Sequence, residues 1–200
     1  MFQIRIHGRG GQGVVTAAEI LAVAAFIDGK YAQAFPSFGS ERMGAPVMSF
    51  CRIDDKFIRL REPVMDPDAL IIQDPTLLHQ VDLFSGVRPS GYILINSSRS
   101  LEDLGIAELI SRFPNARLRT VPASEIALEN TGRSLPNAAL IGGLAALTGI
   151  LGSSAVTEAI RKKFPGKVGE ANAAAAEATY QAVASGRAWV SKETRHAGTY

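Results

Sequence analysis

Phe2-Gln3-Ile4-Arg5-Ile6-His7 runs directly into Gly8-Arg9-Gly10-Gly11-Gln12-Gly13 and then into Val14-Val15-Thr16-Ala17-Ala18-Glu19. A β-prone run, a G-x-G-x-x-G loop and a helical run in that order place backbone N–H groups and a helix N-terminus where an anion is held. The stretch reads as the first βα turn of an α/β fold for a nucleotide-like ligand. A dinucleotide site expects an acidic residue about 20 positions further on, to bind the ribose hydroxyls. The next strand-like run, Tyr31-Ala32-Gln33-Ala34-Phe35, carries none.

Working outward, apolar residues from Val15 to Phe26 follow helical spacing, and Gly29 suits the end of that helix. Val47 to Ile53 and Lys56 to Leu60, joined through Asp54-Asp55, read as a β-hairpin, which makes the sheet mixed. Ala69-Leu70-Ile71-Ile72 and Gly91-Tyr92-Ile93-Leu94-Ile95 are continuous apolar runs, the pattern of strands buried on both faces. A helix over about Leu101 to Arg112 capped by Ser100, a strand Arg117 to Val121 and a helix capped by Ser124 continue the alternation of βαβ units. From Pro136 the chain turns helical. Asn137 to Leu147 is apolar nearly all round with small residues that permit close packing, followed by helices over Ser154 to Phe164 and Gly169 to Ser185.

The expected fold is therefore α/β: a Rossmann-like, mixed but mostly parallel sheet flanked by helices, with a β-hairpin and a helical C-terminal part. Two hundred residues with 46% hydrophobic content suit one domain, 1–185, followed by a polar tail, 186–200. A net charge of +2 with scattered Lys and Arg argues against nucleic acid as a partner. A single cysteine, Cys51, excludes disulfides within the chain and cysteine-ligated clusters, and the three histidines show no metal-ligand spacing. Cys51 in its apolar run reads as a buried small hydrophobe. No charged-then-apolar leader and no apolar run of about 18 residues is present, so the expected location is the cytoplasm, with no membrane contact.

Ligands of open α/β sheets bind outside the carboxyl ends of the strands. Four loops are expected to share that rim: His7 to Gly13, Pro36 to Gly44, Gln73 to Thr76 and Asn96 to Arg99. Their glycines, hydroxyls and arginines suit phosphate and ribose. The candidate binding residues are Gly8, Arg9, Gly10, Gly11, Gln12, Gly13, Ser37, Ser40 and Arg42. Gln12 reads equally as a brace of the loop, Arg42 beside Glu41 as an exposed ion pair, and His7 as structural rather than a base. No catalytic constellation is visible, so the residues by themselves support ligand binding without chemistry.

The glycine loop with its strand, the segment Phe35-Pro36-Ser37-Phe38-Gly39-Ser40-Glu41-Arg42-Met43-Gly44 and the helix Asn137-Ala138-Ala139-Leu140-Ile141-Gly142 together resemble the gamma subunit of the 2-oxoacid:acceptor oxidoreductases, the family of pyruvate:ferredoxin oxidoreductase. The resemblance covers the chain to about Ser185 and departs from the family pattern at Phe38, where many relatives have tyrosine, and at Arg42-Met43-Gly44-Ala45. It implies a non-catalytic gamma subunit of a multi-subunit enzyme that oxidatively decarboxylates a 2-oxoacid and forms its coenzyme A (CoA) thioester. The implied partners are alpha and beta subunits holding thiamine diphosphate and Mg, and a ferredoxin-like delta subunit with iron–sulfur clusters. Some members add a flavin (FAD) subunit that passes electrons to NAD. The implied substrate is pyruvate or an aryl 2-oxoacid such as phenylglyoxylate, and this subunit is expected to help hold CoA. A free-standing NAD(P)-binding oxidoreductase and a purely scaffolding subunit are the alternatives.

Overall fold

The computed structural model describes residues 1–37, 43–113 and 116–186. Strand β1 (Phe2–Arg9) leads through the glycine loop into α1 (Val14–Ile27), then β2 (Tyr31–Pro36) and β3 (Pro46–Asp54). Strand β4 (Ala69–Ile72), a 3-10 turn (Pro75–His79), β5 (Tyr92–Asn96), α2 (Ala107–Ser111) and β6 (Arg117–Val121) come next. The chain closes with α3 (Ala123–Thr131), α4 (Asn137–Thr148), α5 (Ser153–Lys163) and α6 (Lys167–Ser185).

The six strands lie in the order β2-β3-β1-β4-β5-β6. Strands β1, β4, β5 and β6 pair in parallel, while β3 runs antiparallel between β1 and β2. Side chains alternate across a strand, so each buried strand feeds two cores. Ile4, Ile6, Ala69, Ile71 and Leu94 pack with α1, α4, α5 and α6. Leu70, Ile72, Ile93 and Ile95 pack on the other face with Leu77, Leu83, Phe84 and Leu104. The expected mixed, mostly parallel sheet with flanking helices is the observed one.

The antiparallel pair differs from expectation. Strand β3 is enclosed on both sides, by β2 and by β1, which leaves no edge for Lys56–Leu60 to join; the hairpin is β2–β3, and 56–60 is not strand. Instead, Arg52 on β3, 1% exposed, donates to the carbonyls of Glu62 and Pro63 and ties the segment that follows 56–60 to the sheet. The insertion of β3 also moves β2 two strand spacings from β1, about 10 Å. An acidic residue at the end of β2 would stand out of reach of a ligand at the end of β1.

Two helix starts are likewise corrected. Gly105 adopts φ +68 and divides the region expected as a helix over Leu101 to Arg112; Ser100 and Asp103 close one turn by reciprocal bonds, and only Ala107–Ser111 is helical. Helix α3 begins at Ala123, and Ser124 does not cap it. Its N–H donates to Asn96 Oδ1 at 3.1 Å and its hydroxyl accepts from Asn96 Nδ2 at 2.8 Å, so the end of β5 braces the first turn. Helix α4 is buried along most of its length, as its all-round apolar pattern requires. It crosses α6 so closely that a Cβ on Gly142 would fall on the carbonyl of Ala176. Helix α6 ends at Gly186, with φ +64; of the expected tail, 186–200, residues 187–200 lie outside the described residues.

Candidate functional site

The glycine loop turns because two of its residues adopt a left-handed backbone that side chains resist: Gly11 at φ +92 and Gly13 at φ +71. Gly13 is the N-cap of α1, whose first turn carries no acidic residue. Unpaired N–H groups of that turn are the helix end an anion favours. Gly8 lies within β1, where a Cβ would approach Val14 Cγ2 to 2.7 Å. Gly10 joins the segment returning to β3, donating to Ala45 O at 2.9 Å and accepting from Gly44 N at 3.1 Å.

Gln12 is held at both ends of its amide. Its Oε1 accepts from Arg9 N at 2.8 Å and its Nε2 donates to Asp74 Oδ2, also at 2.8 Å. Arg9 turns away from the loop's inner side: it donates to Thr76 Oγ1, Gln80 Oε1 and Gly44 O, and pairs with Asp74 at 3.2 Å. Burial raises the Asp74 carboxyl pKa, but bonds from Thr76 and Gln12 and the charge of Arg9 outweigh it and hold it below the usual carboxylate range. Asn96 Nδ2 donates to Gln73 O at 2.8 Å, bringing in the end of β5. The rim loops after β1, β4 and β5 are thus bonded together, with Gly44 joined through Arg9.

On the opposite side of Gln12 opens a cleft of about 570 Å³. Gly11, Gln12, Gly13 and Thr16 line one wall; Arg133, Asn137 and Lys167 line the others. Three helix starts converge here: α1 at Gly13, α4 at Asn137 and α6 at Lys167. Among the described residues, the cleft lining includes two cations, Arg133 and Lys167, and no carboxylate. Neither cation forms an ion pair among the described residues. Phe164, Leu135 and Val168 give it an apolar side.

The sequence-based candidates therefore divide. Gly11, Gln12 and Gly13 face the cleft, Gly8 and Gly10 shape the loop, and Arg9 clamps the rim. Ser37 donates its N–H to Met48 O at the end of β2, two strands from β1. Ser40 and Arg42 lie outside the described residues. Sequence reasoning missed Asp74, Arg133 and Lys167, and treated Asn137 as part of a motif without a role. Only Asn137 left a trace in the sequence, as a lone polar residue opening an otherwise apolar helix.

Two other titratable groups are inert. His7 is 5% exposed, and burial together with the charge of Arg5 pushes its pKa down to about 3, so the imidazole is neutral. Burial pushes the Cys51 thiol up to about 12. Among the described residues no cluster of His, Cys, Asp and Glu is placed to hold a metal ion, and no helix is long and apolar enough to cross a membrane.

Fold and loop together define a Rossmann-like α/β protein with a glycine loop opening, at the carboxyl edge of the sheet, on a cationic cleft. The chain belongs to the pyruvate ferredoxin/flavodoxin oxidoreductase family, whose model matches residues 3–182, and within it to the gamma subunits, components of an oxidoreductase. It is 47% identical over 181 residues to pyruvate synthase subunit PorC of Methanothermobacter marburgensis, covering 90% of this chain and 97% of that one. Against the common gamma subunit of the pyruvate/ketoisovalerate oxidoreductases of Pyrococcus furiosus it is 45% identical, covering 90% and 96%. The crystal structure of pyruvate oxidoreductase subunit PORC from Thermotoga maritima matches with a TM-score of 0.76 at 36% identity, covering 90% of this chain and 95% of that one.

Proposed function

We propose that this gamma subunit holds CoA for a multi-subunit 2-oxoacid oxidoreductase, with the phosphates of CoA in the cleft between α1, α4 and α6. The observation that carries this reading is the donor set: glycine-loop and helix N-terminal N–H groups beside Asn137, Arg133 and Lys167, with no carboxylate among the described lining residues. CoA carries a diphosphate and a 3′-phosphate, and oriented N–H groups with unpaired cations are what such a ligand requires. The apolar side formed by Phe164, Leu135 and Val168 suits the adenine ring. The same fold makes up 32% of the chain of a 2-oxoglutarate:ferredoxin oxidoreductase from Magnetococcus marinus, 16% identical, in a structure with 2-oxoglutarate, CoA and succinyl-CoA bound. Ser40 and Arg42 are assigned to the same ligand as further polar contacts, on the chemistry of their side chains.

The redox chemistry belongs to partner chains: alpha and beta subunits with thiamine diphosphate and Mg, and a ferredoxin-like subunit with iron–sulfur clusters. The names of the relatives favour pyruvate or a branched aliphatic 2-oxoacid over phenylglyoxylate, and a ferredoxin-type acceptor over NAD. Residues 1–185 act as one domain, in the cytoplasm.

Calorimetric titration of the assembled complex with CoA tests the site. Arg133→Ala and Lys167→Ala are each expected to weaken binding about tenfold, the scale of one charge-assisted contact. Unchanged CoA affinity in both variants, or tight binding of NADH in place of CoA, overturns the proposal.

A further inference from the structure

Asp74 lies two residues beyond β4 and is distant in sequence from the glycine loop, yet its carboxylate decides how that loop is held. Both oxygens are fully used. Oδ2 accepts from Gln12 Nε2 at 2.8 Å and forms an ion pair with Arg9 Nε at 3.2 Å; Oδ1 accepts from Thr76 N at 3.0 Å and from Thr76 Oγ1 at 2.6 Å. Thr76 Oγ1 in turn accepts from Arg9 Nη2 at 2.7 Å, and Arg9 Nη1 reaches Gly44 O at 3.0 Å. One carboxylate therefore ties together the turn after β1, the turn after β4 and the segment entering β3.

The consequence for Gln12 is one of polarity. An amide side chain has a donor end and an acceptor end, and nothing in its own shape tells them apart. A carboxylate accepts only, so Asp74 fixes Nε2 toward itself and leaves Oε1 for Arg9 N, a bond observed at 2.8 Å. Gln12 stands between Gly11 and Gly13, both with positive φ, on the wall of the cleft. Turning its amide would break the Arg9 N bond and release the loop whose N–H groups face the ligand. Asp74 also neutralises Arg9, so that this arginine serves as a clamp.

We propose that Asp74 is a positioning residue for ligand binding: without touching CoA, it orients Gln12 and thereby holds the Gly11–Gly13 backbone in its binding conformation. The inference rests on the reading that CoA occupies the cleft. A loop held by a partly buried carboxylate such as Asp74 loses affinity when that group is removed, because the binding conformation is no longer formed in advance.

The test uses the assembled complex, with CoA affinity from calorimetry beside steady-state KM and kcat. Asp74→Asn leaves one acceptor oxygen where the carboxylate supplies two, so Gln12 Nε2 and Thr76 compete for it and Gln12 loses its fixed polarity; the variant is expected to raise the CoA dissociation constant and KM about tenfold, with the KM for the 2-oxoacid and kcat within twofold. Gln12→Ala should weaken CoA binding by a similar factor. The double variant should be no worse than either single one, because both act through one group. Thr76→Val, which keeps the carboxylate but loosens it, is expected to give a smaller effect in the same direction and serves if Asp74→Asn does not assemble.

Unchanged CoA affinity in Asp74→Asn, or in Thr76→Val where that variant stands in, overturns the inference. Multiplicative losses in the double variant overturn it too, since Asp74 would then act independently of Gln12. The Arg133→Ala and Lys167→Ala titrations separate the two readings. If they weaken CoA binding while Asp74→Asn does not, the positioning role alone fails; if none of the three does, the site itself is misplaced.

Discussion

Gly13 and Asn137 meet face to face: the side-chain amide of Asn137, at the first residue of α4, occupies the space that a Cβ on Gly13 would need. The glycine loop is thereby seated directly against the start of the central helix. Two requirements coincide at Gly13, a left-handed backbone at φ +71 and room for a neighbour.

These requirements can be separated by comparing two substitutions. Gly29 also has positive φ, +75, but nothing lies within 4 Å of its would-be Cβ. Gly29→Ala is expected to cost only the backbone penalty, about 1–2 kcal/mol. Gly13→Ala should cost clearly more, and Asn137→Ala in the Gly13→Ala background should recover part of the excess. Thermal or urea unfolding of the four proteins measures this; equal losses in Gly13→Ala and Gly29→Ala would show that the Asn137 contact costs nothing.

Gly142 and Gly143 are neighbours on α4, and alanine at either gains about 1 kcal/mol of helix propensity. Their surroundings differ. A Cβ at 142 meets the backbone carbonyl of Ala176, which moves only with α6, whereas at 143 it meets the side-chain ends of Leu94 and Thr179, each at 3.1 Å. Gly142→Ala is therefore expected to lose stability by about 1–3 kcal/mol despite the propensity gain, and Gly143→Ala to be milder. For a chain of this size the first corresponds to a fall in Tm of several degrees. The order of the two midpoints is the decisive measurement.

The burial of His7 makes stability depend on pH. Its folded pKa, about 3, lies below the ordinary histidine value of 6.5. Between those values the unfolded chain binds a proton that the folded protein excludes, so stability falls as pH is lowered through that window. The loss is about 1.4 kcal/mol per pH unit, or about 2 kcal/mol between pH 6.5 and 5. Asp74 acts in the same direction at lower pH: its depressed pKa stabilises the fold above the ordinary carboxylate value, and this is lost as pH falls through the folded one. His7→Gln is expected to flatten the dependence between pH 6.5 and 5 without altering the contribution of Asp74 at lower pH. Urea midpoints at a series of pH values check this, and an unchanged slope in the variant would rule it out.

Much of this molecule is legible from one dimension because the signals are local. The G-x-G-x-x-G run between a strand and a helix announces a left-handed turn that glycine supplies, and Gly11 and Gly13 adopt it. The four-residue run Ala69–Ile72 reads as a strand buried on both faces because no residue in it is polar, and all four are buried. The small residues of α4 foretell a close helix crossing, which Gly142 makes with α6. Each depends on side-chain size, polarity period or backbone freedom within a few residues.

The tertiary structure alone decided which distant pieces meet. Nothing in the β-prone run from Pro46 to Asp54 tells whether it pairs with Lys56–Leu60 or wedges between β1 and β2, since strand pairing is a choice among partners made by packing. That wedge removes the end of β2 from the reach of a ligand at β1, so the absent acidic residue there has a geometric reason. Asp74, Arg133 and Lys167 look like ordinary charged residues in the chain. Only when α1, α4 and α6 bring their N-termini together does the cleft acquire two cations, and only when β4 lies beside β1 does the Asp74 carboxylate reach Gln12.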